Sequence, residues 1–445
     1  MKLTKTLLAA SLAVTGVTAQ AAGPLYLWEG GDQPTPYKWN TSNGPIPVYT
    51  DGGNAFTYDF DGETPFITID RANEITQFAF DQWNNVETST FDAQVVGTIE
   101  SVTGINDVTG ANATDIYGVE NGYGFFVNYD STGDILEDYF GVPKNAVLGI
   151  AFPEWADEET GEILEATAVI NGYYVYSHDT EGNLIAGVFT HEFGHAINLS
   201  HAQVNGHMAY NSYPGRDIYP GVPGCGVEPY HVWRYNFTGF NPVDPYTVET
   251  MYPAVDHRRE IAEAVSYITA QDDRVAISNL YPTGAYLNET GTVSGVLRLK
   301  DGVTEYSGIN IVARNVNNLM GDATSVLSGD QTAGLTGPDG RFTIRGLTPG
   351  ESYVLYMEEI AGGGYPTTPR PLVSVGEYWN EAESNDPIAD AACDATPIVA
   401  EAGVTAAADF TFNGYLDGIQ YTPLVGAHLS DLSKNGKKSA GLAAG

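Results

Sequence analysis

The sequence predicts an α+β domain followed by an all-β sandwich. Three observations predict it. Two amphipathic helical stretches lie among short apolar strands before residue 285, only short alternating strands follow Tyr286, and a helix halted by Pro282 and Gly284 separates the two regions. At 445 residues the chain holds two or three domains of roughly 100–200 residues each. Hydrophobic residues at 42% are enough for packed interiors, which sets wholesale disorder aside.

The first 21 residues carry Lys2 and Lys5, an apolar stretch over about 7–18, and then Ala19-Gln20-Ala21. This order is that of a signal peptide cleaved after Ala21, and the apolar run is short of the roughly 20 residues that span a bilayer. The mature chain is expected to be secreted, extracellular or periplasmic, with no membrane span.

In the first domain, 24–284, Tyr37-Lys38-Trp39-Asn40 and Ile46-Pro47-Val48-Tyr49 form the opening strand, closed by the turn Asp51-Gly52-Gly53. Ala72, Ile75, Phe78, Ala79 and Trp83 then recur at helical spacing, which predicts a helix over about 70–85 with Asp70 as its N-cap. Apolar runs at 125–127, 147–152 and 166–176 are strands of one sheet. Between them Asp130, Asp134, Glu137 and Asp138 supply hard oxygens at the short spacing that suits calcium, without matching an EF-hand loop; a turn with solvated acids is the alternative.

A second helix over about 184–199 follows from the stripe Ile185, Val188, Phe189, Phe193, Ala196 and Ile197. The insertion 202–249, rich in Tyr, Pro and Gly, is too long for an ordinary connection. Thr269-Ala270-Gln271-Asp272 reads as a capping-box-like start to a closing helix over 272–280. In 286–414, GTVSGVLRL, GINIVAR, SVLS, RFTIRGL and SYVLYM alternate as strands, with Pro338-Asp339-Gly340 as a hairpin turn between two of them. Tyr378 and Trp379 either pack in a core or rim or bind a polymer. A locally basic, small-residue tail occupies 415–445.

Acidic residues outnumber basic ones 56 to 19, a net charge of −37, and a surface this negative repels the nucleic-acid backbone. Nucleic acid is therefore excluded as a partner. Cys225 and Cys393 are the only cysteines, so disulfides are not the main brace, and whether the two pair stays open.

The chemistry lies in 191–201, HEFGHAINLSH. His191 and His195 stand one helical turn apart on one face, where both imidazoles reach the same ion, and zinc suits that pair. Glu192 is placed to take a proton from the water that such an ion activates, which makes it the candidate general base. His201 lies too far along to share the face of a straight helix. Asn198 permits the chain to turn, since Asn tolerates a left-handed conformation at a helix end, and His201 then supplies the third ligand. His178, His207, His231, His257 and His428 fit no such pattern, His207 being the nearest competitor.

These residues carry a family resemblance. HEFGHAINLSH resembles the metzincin signature HExxHxxGxxH followed by a Met-turn, with Asn198 in place of the usual glycine. Glu249-Thr250-Met251-Tyr252-Pro253 is similar to the matrixin form of that turn, and Asp272-Asp273 with Leu280-Tyr281-Pro282 to the matrixin C-terminal helix; the likeness covers about 36–283. It implies a twisted mixed sheet, an active-site helix, Met251 as an apolar floor beneath the ligands, and Tyr252 and Pro253 in the wall of the S1′ pocket. The chain departs from the pattern in three places. No cysteine-bearing propeptide precedes the domain, Ala202 stands where serine is usual, and His201 lies 50 residues before Met251.

The β region resembles carboxypeptidase-regulatory or transthyretin-like sandwiches through Gly295-Val296-Leu297, Gly308-Ile309-Asn310-Ile311 and the stretch 337–344, GPDGRFTI. That likeness implies a fold more than a function, and leaves either a polymer or the catalytic domain as what this region contacts. The expected function is a secreted zinc endopeptidase acting on polypeptides, calcium being the second ion expected. The alternative is a secreted adhesion or glycan-binding protein with a non-catalytic metzincin-like domain.

Overall fold

The structure, a computed structural model, describes residues 5–7, 23–31, 34–56, 67–173, 179, 181–202, 204–206, 244–254, 259–330, 339–358, 377–383 and 395–412. Cys225, Cys393, the other five histidines, most of the insertion and the tail lie outside the described residues, as does most of the expected signal peptide.

The first region contains β1 (Lys5–Leu7), β2 (Leu27–Trp28), β3 (Thr35–Pro36), β4 (Ile46–Thr50), α1 (Ile69–Asn84), β5 (Ala93–Thr98) and α2 (Ile99–Thr103). It continues with β6 (Gly124–Asp130), β7 (Gly149–Asp157), β8 (Ile163–Asn171), α3 (Ile185–Ala196), α4 (Arg259–Ala264), α5 (Gln271–Leu280) and α6 (Gly284–Glu289). Six strands form one mixed sheet in the order β1-β7-β8-β6-β4-β5. The pairs from β8 to β5 are parallel, whereas β7 runs antiparallel to β8, and the backbone of β1 adds antiparallel to the far end of β7, Lys5 opposite Asp157.

The central strand β6 is buried along its whole length, as expected for a strand covered on both faces. Its side chains alternate between two cores. Phe125, Val127 and Tyr129 pack with Ile75, Phe80 and Trp83 of α1 and Phe189 and Phe193 of α3. Phe126 faces the other way, toward Ile116, Tyr117, Leu136 and Phe152.

Helix α1 buries Ala72, Ile75, Thr76, Ala79, Phe80 and Trp83, one stripe of a 3.6-residue repeat. It begins one residue earlier than expected, and its N-cap is Thr68, whose Oγ1 accepts from Arg71 N, and not Asp70. Thr68 has the extended backbone that a cap requires, while Asp70 is already helical. The capping box expected before α5 is also absent. Ala270 is the N-cap with no side-chain bond, because Thr269 Oγ1 donates to Tyr246 O and Asp272 turns to Thr324 and Ser325.

Beyond α6 come β9 (Gly291–Leu299), β10 (Asn310–Asn315), β11 (Ala323–Leu327), β12 (Arg341–Leu347), β13 (Ser352–Glu358), β14 (Ile398–Val399), β15 (Thr405–Ala407) and β16 (Phe410–Phe412). They form two sheets, β11-β10-β13-β14 and β12-β9-β15 with β16 also on β9, and one apolar core draws Val293, Leu297 and Ile344 from one and Ile311, Leu355 and Met357 from the other. The described strands on either side of Pro338-Asp339-Gly340, β11 and β12, belong to different sheets, and Pro338 itself lies outside the described residues. Tyr378 and Trp379 are buried; Trp379 joins that core and donates from Nε1 to Asp409 O, and Tyr378 packs on Tyr356, so neither ring is free to bind a polymer. Among the described residues no helix is long and apolar enough to cross a membrane.

Candidate metal centre

Helix α3 carries the site and is buried on nearly every face, so it is held from all sides. Trp83 Nε1 donates to Thr190 O at 2.9 Å, and Thr190 Oγ1 donates to Ala186 O and Ser266 O. A helix end leaves its last carbonyls without partners. Here Trp39 Nε1 donates to Ala196 O at 3.2 Å and the Tyr281 hydroxyl to Ile197 O at 2.9 Å.

The turn that follows is made by Asn198 at φ 84°. Asn is among the few side chains that accept this region. Its amide group holds the turn in place: Oδ1 accepts from Tyr26 N at 2.8 Å, and Nδ2 donates to Tyr26 O and Tyr37 O. Leu25 N donates to Asn198 O, and Ser200 N to Gly23 O, so residues 23–26 brace the reversal that brings His201 back.

The three imidazoles converge. His195 Nε2 lies 3.1 Å from His191 Nε2 and 3.2 Å from His201 Nε2. The ring nitrogen on the far side of His191, Nδ1, lies 2.7 Å from Thr250 O, and that of His195 lies 2.8 Å from Leu199 O. A carbonyl can only accept, so both Nδ1 atoms carry the proton and both Nε2 atoms present lone pairs. Lone pairs aimed at one another repel unless a cation stands between them. Around a tetrahedral zinc, with Zn–N of about 2.0–2.1 Å, neighbouring nitrogens stand roughly 3.3 Å apart, and the spacing here fits that geometry. Burial also lowers the His191 pKa to about 4, and burial together with the His191 charge lowers that of His195 to about 3. Both rings are thereby kept in the neutral form that ligates metals.

Glu192 is only 7% exposed, and burial pushes its carboxyl up to about 8. Its carboxylate lies against Gly149, the first residue of β7, so closely that a Cβ there would stand 2.8 Å from Oε1. Met251 is fully buried under α3, and a Cβ on Gly194 would stand 2.2 Å from its Sδ. The turn between the two helical histidines thus rests on the methionine.

Two buried carboxylates hold the loops that meet here. Asp273 accepts from Thr250 N at 2.7 Å and Met251 N at 3.2 Å. Glu249 accepts from Asn205 N at 2.7 Å and Gly206 N at 2.6 Å, while Ala202 N donates to Met251 O. Burial raises the Glu249 pKa to about 7, and burial followed by the Glu249 charge holds the Asp273 carboxyl well above the ordinary carboxylate range.

Not every sequence candidate joins the site. Asp130 accepts from Leu136 N, Asp134 pairs with Lys144 at 3.6 Å, and Asp138 is exposed. Among the described residues the three histidines are the only group of His, Cys, Asp and Glu gathered closely enough to hold an ion, and Asp130, Asp134 and Asp138 are not gathered in that way. Asp130 caps its own turn instead. Tyr252 is buried with its ring against Gly206, and Pro253 is partly exposed. A cavity of about 310 Å³ between α1 and the start of α3, lined by Arg71, Phe78, Asn183 and Tyr246, contains none of the histidines. Sequence reasoning missed Gly149, Glu249 and the Trp39 and Tyr281 donors. Glu249 and Tyr281 stand in the motifs that carry the resemblance, but no local pattern marks what any of the four bonds, because each acts on a segment distant in the chain.

No family model and no curated protein matches the chain. Among solved structures it is similar to the dioxygenase domain of a dioxygenase–carbohydrate-binding protein fusion from the cellulolytic bacterium Streptomyces sp. SirexAA-E, at 18% identity over 30% of this chain and 84% of that one. The TM-score is 0.16, too low for the likeness to bear on fold or chemistry.

Proposed function

We propose that this chain is an exported zinc endopeptidase in which Glu192 is the general base. The observation that carries the reading is the convergence of the Nε2 atoms of His191, His195 and His201, with the Nδ1 atoms of His191 and His195 turned to carbonyls, beside a buried carboxylate. Three nitrogens leave a fourth position open, as a catalytic site requires and a closed structural site does not. When bound, zinc would polarise the scissile carbonyl and lower the pKa of water.

The chain's own residues do the rest. Thr250 O and Leu199 O fix the tautomers of His191 and His195 and so aim their lone pairs. Glu192 takes a proton from the attacking water and returns it to the leaving amine as the C–N bond breaks and a C–O bond forms. Substrate alignment falls to β7. Its outer edge over 149–154 has no strand partner among the described residues, and it starts at Gly149 beside Glu192. An extended polypeptide adds to such an edge through backbone hydrogen bonds, which supports a polypeptide substrate.

The test is cleavage of an unfolded protein by the purified mature chain, with zinc measured by elemental analysis. Glu192→Gln is expected to keep one zinc per chain and lose cleavage by at least 100-fold, since general bases contribute about 10²–10⁴. Equal cleavage by both proteins would remove Glu192 from the mechanism. Secreted material beginning at Ala22 would support export, and a retained leader would oppose it.

A further inference from the structure

Arg314 lies on β10, in the region after α6, yet its side chain reaches the loop that follows His201. It is fully buried. Nη1 donates to Asn205 Oδ1 at 2.8 Å and to Leu319 O, Nη2 donates to Val204 O at 3.1 Å, and Nε and Nη2 lie 3.3 and 3.2 Å from the Tyr356 hydroxyl. All of these are neutral acceptors. Burying a guanidinium without a directly bonded carboxylate is costly, and such a group has to be held by well-formed geometry around it.

The same loop is gripped twice more. Val204 is fully buried in an apolar cluster with Val312, Val354, Tyr356 and Tyr378 of the β region. Asn205 Nδ2 donates to Met320 O on that side and to Thr247 O on the other, and Asn205 N donates to Glu249. Residues 204–206 are therefore pinned between the β region and the segment that ends in Met251, three to five residues after His201. Ala202, next to His201, is itself tied to Met251 O.

We infer that Arg314 is a positioning residue for the metal centre: through Val204 and Asn205 it holds the loop that follows His201, so that the β region completes the third-ligand geometry. The inference rests on the zinc reading above. His191 and His195 share a rigid helix, whereas His201 stands on a loop whose exit needs an external anchor, and a ligand free to swing binds an ion more weakly.

The experiment uses the full mature chain and zinc alone. Arg314→Met, Arg314→Lys and Asn205→Ala are compared with the wild type by competition against a chelator, and with cobalt in place of zinc by visible absorption. Arg298→Met is the control, since Arg298 pairs with Asp409 at the surface of the same region. The three loop variants are expected to bind zinc about 10–100-fold more weakly and to shift the cobalt spectrum, with the control unchanged. Arg314→Lys should recover part of the affinity. Wild-type zinc affinity and an unaltered cobalt spectrum in Arg314→Met and Asn205→Ala, even with lowered thermal stability, would overturn the inference and leave the peptidase reading standing. Should Arg314→Met fail to fold, Arg314→Lys and Asn205→Ala decide by the same two readouts. A wild-type chain that takes up no zinc overturns both, whereas tight zinc without proteolysis overturns only the peptidase reading.

Discussion

The Asp273 carboxylate holds the backbone of Thr250, accepting its N–H at 2.7 Å, while the carbonyl of the same Thr250 fixes the proton of His191 Nδ1 at 2.7 Å. A side chain on α5 thereby orients the His191 imidazole on α3 through a single residue, Thr250. Asp273 is fully buried, so nothing from solvent replaces it.

Asp273→Ala is expected to weaken zinc binding by about 10–100-fold, the usual cost of losing a group that orients a ligand. Chelator competition measures it. Unchanged affinity would show that His191 keeps its orientation without the carboxylate.

Gly149→Ala tests the seat of the proposed base. The added Cβ would overlap the Glu192 carboxylate at 2.8 Å and displace it from the start of β7. We expect zinc content to stay at the wild-type level while kcat/KM falls at least about tenfold, because small displacements of a positioned group are felt strongly in the rate. Undiminished turnover would place the working carboxylate elsewhere.

Asn198 separates two effects at one position. Asn198→Gly loses three side-chain hydrogen bonds but keeps the φ of 84°, whereas Asn198→Ala loses the bonds and strains the backbone as well. Alanine should be less stable than glycine by about 1 kcal/mol in urea unfolding, with both below the wild type. Identical stabilities would remove the backbone argument.

Buried carboxylates predict how stability follows pH. Burial pushes both Asp51 and Glu165 up to about 7, above the ordinary 3.8 and 4.5. The folded chain then holds these protons more tightly than the unfolded chain. Their contribution is fullest below the ordinary values, falls as pH rises toward 7, and is flat above that. The difference in unfolding free energy between wild type and Glu165→Gln, followed from pH 4.5 to 8.5, should decline up to about pH 7 and then level. A difference that grows with pH would reverse the sign of the shift.

What the sequence determined is what repeats or clusters within a few residues. The 3.6-residue stripe placed α1 and α3 to within a residue or so of their starts, HEFGH brought two histidines onto one face, and Asn198 marked the turn toward His201. What only the tertiary structure decided depends on partners far along the chain. Asp272 looks like a helix cap until β11 supplies Thr324 and Ser325, and Arg314 carries no signal until Val204 and Asn205 arrive beside it. Periodicity is a local property of a helix or strand, whereas the partner of a buried polar group is chosen by whichever donor or acceptor folding brings within about 3 Å of it.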